Sequence, residues 1–172
     1  MMDYFHFIIL GIFIIIAFYT DVTKSLLPNW LTMSGILVGF IYHLISDGLN
    51  GLLFSIIGMA VGGGILMLMY IFKALGAGDV KLFAAIGSIT GLQFTLYAMM
   101  YSILFAGLIG VIILLVKQEF MRKMFYTIYR LFASIRSKDF KSLENFKRIE
   151  STRFPFMYAV LPGIIMTFYY FH

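Results

Sequence analysis

Apolar residues along this chain neither alternate nor recur in narrow stripes; they run in long blocks parted by short polar interruptions. Runs of about 20 apolar residues cross a bilayer as helices. Tyr4–Thr20, Trp30–Ser46, Gly51–Phe72, Val80–Val116 and Phe154–Phe171 have that character. The fourth is too long for one crossing. Asp79 to Val116 is 38 residues, roughly 57 Å as a single helix at 1.5 Å per residue, against a hydrocarbon core of about 30 Å. Turn-prone residues at "GSITG", Gly87 to Gly91, divide it into expected helices at Val80–Ile89 and Leu92–Val116. The pattern therefore predicts an all-α fold, a polytopic bundle of six transmembrane helices forming one integral membrane domain over residues 1–172.

Composition agrees: 62% of residues are hydrophobic and 12% charged, where soluble domains are nearer half apolar. Charge then orients the bundle, because cytoplasmic loops accumulate Lys and Arg. With six spans, Lys24, Lys73, Lys81 and the ten basic residues from Lys117 to Arg153 share one side, which accounts for all 13. A single span over 79–116 would set those ten against the other three. Both termini are thus expected outside, in a multi-pass protein of the cytoplasmic membrane. Met1-Met2-Asp3 carries no basic region and no small-residue cleavage site follows, so Tyr4–Thr20 reads as a retained span. Asp3 and Asp47 become the outer-face carboxylates, while Asp21 and Asp79 lie at the cytoplasmic border.

The segment 117–153 is expected to be a basic cytoplasmic loop, being too short to bury a core of its own. Phe120, Met124, Ile128, Leu131, Phe132 and Ile135 recur at helical spacing among basic residues, as in an interfacial helix on anionic lipid. A solvated charge run that only fixes topology accounts for the same residues, and nucleic acid is not an expected partner. The chain has no cysteine, which excludes disulfides, Cys-ligated zinc and thiol nucleophiles.

A carboxylate at the end of a span costs a few kcal/mol to insert and marks a functional site by default. Asp21, in "YTDVTKSLLPNWLT", ends the first span; Asp79, in "LGAGDVKLFAAIG", opens the fourth. Helices one and four packed side by side would bring the two acids to one depth. Like charges a few ångströms apart cannot both ionise cheaply, so one acid would hold the shared proton while the other activates water, the chemistry of aspartyl proteases. Helix capping is the bland alternative for each. Gly76 and Gly78 bracket Ala77, permitting positive φ and the close approach of a substrate strand. Lys81 is a cation near Asp79, and Pro28 and Asn29 start the second helix as supports of Asp21. Gly35/Gly39 and Gly58/Gly62 have the Gly-x-x-x-Gly spacing of ordinary helix packing. No metal site is expected, since two carboxylates without a histidine neighbour hold zinc poorly and magnesium only in part. His6, His43 and His172 are assigned no catalytic role.

"GAGDVKLFAAIG" resembles the Gly-x-Gly-Asp motif of the type IV prepilin peptidases, and "DVTKSLLPNWLT" is similar to the segment bearing their first aspartate. "RFPFMYAVLPG", Arg153 to Gly163, is similar to the opening of their last span. The resemblance implies an aspartic endopeptidase that removes the positively charged leader of prepilins or pilin-like proteins at the inner membrane face, with Asp21 and Asp79 as catalytic pair and no cofactor. Long members of the family carry a cytosolic insertion with two Cys pairs and are associated with N-methylation. Here the first loop, Val22 to Asn29, has eight residues and no cysteine, which resembles the short, peptidase-only members. Archaeal preflagellin peptidases share the Asp pair. Two readings from other classes stay open: a small membrane transporter, whose site would lie near midplane, and a structural subunit of a pilus or secretion assembly, which would need neither Asp.

Overall fold

A computed structural model describes residues 5–24, 27–72, 75–116 and 156–171. The basic loop 117–153, with its interfacial-helix pattern, lies outside the described residues. The described elements are helices: α1 (Phe5–Lys24), α2 (Asn29–Ile71), α3 (Ala77–Val116) and α4 (Met157–Phe171). Three are long and apolar enough to cross a membrane, over Phe5–Thr23, Asn29–Ile71 and Ala77–Ile113, and α4 is a shorter apolar helix. The chain divides into two compact units, Met1–Ala106 with Pro155–His172, and Gly107–Phe154. Of the second, only the end of α3 is described.

Both long helices are interrupted. Gly48 in α2 has φ 61° and ψ −138°, and Gly91 in α3 has φ 77° and ψ −174°. That combination is open essentially to glycine alone, so each helix is two helical pieces joined at a glycine. The break at Gly91 closes the "GSITG" stretch; helix persists through Gly87 and Ser88, because turn-prone residues surrounded by packed neighbours follow tertiary context rather than local preference.

The first piece of α3 is the centre of the larger unit. Leu82, Phe83, Ala85, Ile86, Ser88 and Ile89 are each at most 1% exposed. A helix is covered on every side only where neighbours come very close, and glycine makes that possible here. A Cβ on Gly58 would collide with the Gly87 carbonyl, and one on Gly62 with that of Phe83. Gly39 rests on the backbone of Ser88, and Gly35 on the Phe13 ring of α1. Lipid is as apolar as leucine, so such close packing, rather than expulsion of water, holds membrane helices together.

Polar and apolar residues are arranged as lipid requires. Ile8, Ile12, Ile15, Leu37, Ile45, Leu53, Leu68 and Leu104 face outward, while Ser55, Ser88, Thr95, Ser102 and Thr167 are fully buried. Most of these hydroxyls donate to a carbonyl three or four residues back, as Ser102 does to Ala98 at 2.6 Å and Thr167 to Gly163 at 2.8 Å. The break at Gly91 would leave carbonyls of the preceding turn unpaired. Ser55 Oγ donates to the Ser88 carbonyl at 2.5 Å and His43 Nε2 to that of Ile89 at 2.9 Å. His43 therefore has a structural task, closing the end of the central helix.

Candidate active site

The buried positions of α1 are Leu10, Phe13, Ile14, Ala17 and Asp21, which follow helical spacing along one face. The helix runs past Thr20, where the apolar run stops, to Lys24. Asp21 thus continues the inward stripe from within the last turn and is 8% exposed. The backbone N–H of Met157, the first residue of α4, donates to Asp21 Oδ2 at 3.4 Å. An acid at a helix N-terminus meets unpaired N–H groups and the positive end of the dipole.

Asp79 lies in the first turn of α3. Three, four and seven residues on are Leu82, Phe83 and Ile86, all fully buried, so Asp79 too prolongs an inward face. Its Oδ2 accepts from the Gly76 N–H at 3.0 Å, and its own N–H donates to the Gly76 carbonyl at 3.1 Å. This is the carboxylate half of a capping box, with glycine where the hydroxyl residue would stand. Phe83, one turn on from Asp79, and Phe156, next to the Met157 that contacts Asp21, bring their rings to 6.5 Å between centroids. The two acids, 58 positions apart in the chain, have been brought to one end of the bundle.

The supporting residues gather there as well. Pro28, at φ −68° and ψ 138°, precedes the first turn of α2, and Asn29 opens it. Lys81 Nζ donates to Asn29 Oδ1 at 2.7 Å, so its hydrogen bond joins the starts of α2 and α3, where a cation directed at a carboxylate was the sequence-based expectation. Among the described residues, positive φ is confined to Gly48 and Gly91. Gly76 therefore serves by smallness, since a Cβ there would stand 3.2 Å from Asp79 Oδ2, whereas one on Gly78 would make an ordinary contact 3.5 Å from the Leu27 side chain. Gly76 is exposed, which leaves the backbone ahead of Asp79 open on one side.

Sequence reasoning missed two contacts, the Met157 N–H on Asp21 and the Lys81–Asn29 bond. The first had a signal in the i, i+3, i+4, i+7, i+11 placement of Leu10, Phe13, Ile14, Ala17 and Asp21, which shows the acid facing inward. The second had none, because a side-chain pair 52 residues apart depends on how α2 and α3 are packed. Among the described residues no group of three or more His, Cys, Asp or Glu is placed to hold a metal ion.

Fold and site together define a helical membrane protein with two acids converging at one end of its bundle. The chain belongs to the type IV leader peptidase family, whose model matches residues 8–114, a stretch that contains both aspartates. It is 31% identical over 108 residues to the prepilin leader peptidase/N-methyltransferase of Vibrio cholerae serotype O1, a match covering 58% of this chain and 43% of that protein. The matched part thus spans less than half of the relative's length. No solved structure matches the chain.

Proposed function

We propose that the chain is an aspartic endopeptidase that removes the positively charged leader from prepilins or pilin-like proteins at the cytoplasmic face of the cell membrane. The observation that carries this reading is the placement of Asp21 in the last turn of α1 and of Asp79 in the first turn of α3, at the same end of the bundle. In the proposed reaction one carboxylate takes a proton from water as the oxygen attacks the scissile carbonyl. The other, protonated, gives its proton to the carbonyl oxygen; as the tetrahedral intermediate collapses it takes that proton back, the first carboxyl passes water's proton to the leaving nitrogen, and the leader acid and the new amine are released. The open backbone at Gly76, next to Asp79, is the proposed seat of the substrate strand. A midplane transporter site is disfavoured, because both acids stand in end turns of their helices. The direct test is cleavage of a co-expressed prepilin by Asp21 and Asp79 variants, whose outcome is argued in the Discussion. A preflagellin as substrate would use the same pair.

The proposed topology is six crossings, with the helix breaks at Gly48 and Gly91 lying in outer turns and the basic loop inside. Broken there, α2 supplies two crossings of ordinary length and α3 a short first piece followed by a full-length one. A reporter fused at Ser137 is expected to read cytoplasmic and one at Asn50 external. An external signal at Ser137 would require an even number of crossings before it and would separate the basic loop from the acid pair.

Hydrolysis by two carboxylates needs no metal, so purified protein is expected to keep cleaving after treatment with chelator. Activity lost to chelation and restored by a divalent ion would refute the aspartic mechanism. The short, cysteine-free connection between α1 and α2 supports peptidase activity without methylation. Incubation with S-adenosylmethionine should leave the mature pilin's N-terminus unmodified, and a methylated product would overturn that assignment.

A further inference from the structure

A second feature lies at the other end of the bundle. His6 is 15 residues before Asp21 on α1, roughly 22 Å along a helix. There a cavity of about 700 Å³ opens beside the Gly48 and Gly91 breaks, a size typical of ligand sites. Its lining is unusual for a lipid-facing bundle. Asp47 contributes a carboxylate and Asn50 an amide, and Ser46 contributes a hydroxyl. Tyr42 and Phe54 supply aromatic surface, packed against the His43 ring with centroids 5.1 Å away in each case.

Each polar group in this lining can accept a hydrogen bond, and the ionised Asp47 carboxylate can only accept. Because His43 Nε2 donates to the Ile89 carbonyl, the neutral ring keeps Nδ1 as an acceptor. Among the described residues no lysine or arginine lines the cavity; its ionisable groups are Asp47, the Tyr42 phenol and the imidazoles of His6 and His43. Ser46 Oγ is buried and has no hydrogen-bond partner among the described residues. Buried polar atoms are nearly always paired, so an orphan on a cavity wall points to a partner from outside the chain. A ligand suited to these walls carries several N–H donors and a positive charge that aromatic faces attract.

We propose that this cavity binds a primary ammonium group. Two sources share that chemistry: the headgroup of an ethanolamine lipid and a free small amine. Aromatic pairs crowd this end of the bundle, including Phe5 with Tyr42, Phe7 with Phe168 and Tyr97 with Tyr170. Such belts mark the membrane–water interface, where headgroups lie.

Native mass spectrometry of the full chain, delipidated and then offered equal amounts of phosphatidylethanolamine, phosphatidylcholine and phosphatidylglycerol, tests the proposal. Retention of the ethanolamine lipid is expected to exceed the other two by about tenfold, and Asp47→Asn to remove that excess, as loss of one charge-assisted contact would. Ser46→Ala is the second variant, since removing an orphan hydroxyl should weaken retention only if a ligand uses it. Competition by free ethanolamine would identify the amine alone as sufficient; retention unaffected by it would identify the lipid headgroup. Equal retention of the three lipids, preference for phosphatidylglycerol, or an unchanged excess in folded Asp47→Asn would overturn the proposal.

Discussion

Gly87→Val is expected to strip most of the protein from the membrane fraction. Gly87 and Gly58 meet backbone to backbone, each placed so that a Cβ on one collides with the carbonyl of the other. A side chain on Gly87 has no flexible neighbour to displace; the central piece of α3 would have to move bodily away from α2. Overpacking costs typically about 1–3 kcal/mol and more where backbone must shift, a large share of the roughly 5–15 kcal/mol that separates folded from unfolded domains. Gly64→Val and Gly107→Val make the comparison, because a Cβ there meets nothing within 4 Å. Those two should accumulate normally. Membrane levels and thermal unfolding in detergent check the result, and near-normal stability of Gly87→Val would mean that α2 and α3 are not packed as described.

Asp21→Asn and Asp79→Asn should each abolish cleavage of a co-expressed prepilin while leaving the protein in the membrane. Asparagine keeps the volume and an acceptor oxygen. It can still take the N–H of Met157 at position 21 or that of Gly76 at position 79, so the capping role survives and only the ionisable group is lost. A purely structural role for the acids therefore predicts active variants. Glutamate should fail or nearly fail as well: one added methylene moves the carboxylate by about 1 Å, which can cost on the order of 10²-fold in positioned catalysis. Asp3→Asn should process normally.

The uneven legibility of this molecule in its sequence has a physical cause. Long apolar blocks are a one-dimensional signal, so helix positions and the parting near Gly91 could be read directly. Helix ends were harder. The expected stop at Thr20 reflects where apolar residues cease, whereas α1 continues to Lys24 and carries Asp21 within its last turn. Asp21 and Asp79 stood out because a carboxylate in a span is costly. What each acid touches could not be read, since Met157 and Gly76 offer backbone N–H groups that carry no residue-specific mark. The glycines divide in the same way. Gly35/Gly39 and Gly58/Gly62 declared themselves by spacing, and each pair packs tightly. Gly48 and Gly91, the two in the left-handed region, have local sequences much like those of other glycines, and only the three-dimensional path distinguishes them.

The central claim is that Asp21 and Asp79 act as one unit, and the rates of purified Asp21→Asn, Asp79→Asn and double-Asn proteins on the same prepilin test it most directly. Residues that share one chemical step lose their effect together. All three variants should therefore fall to the same residual rate, with the double variant no slower than either single one. Substantial cleavage by correctly inserted Asp21→Asn would contradict the account and leave Asp79 in need of another partner.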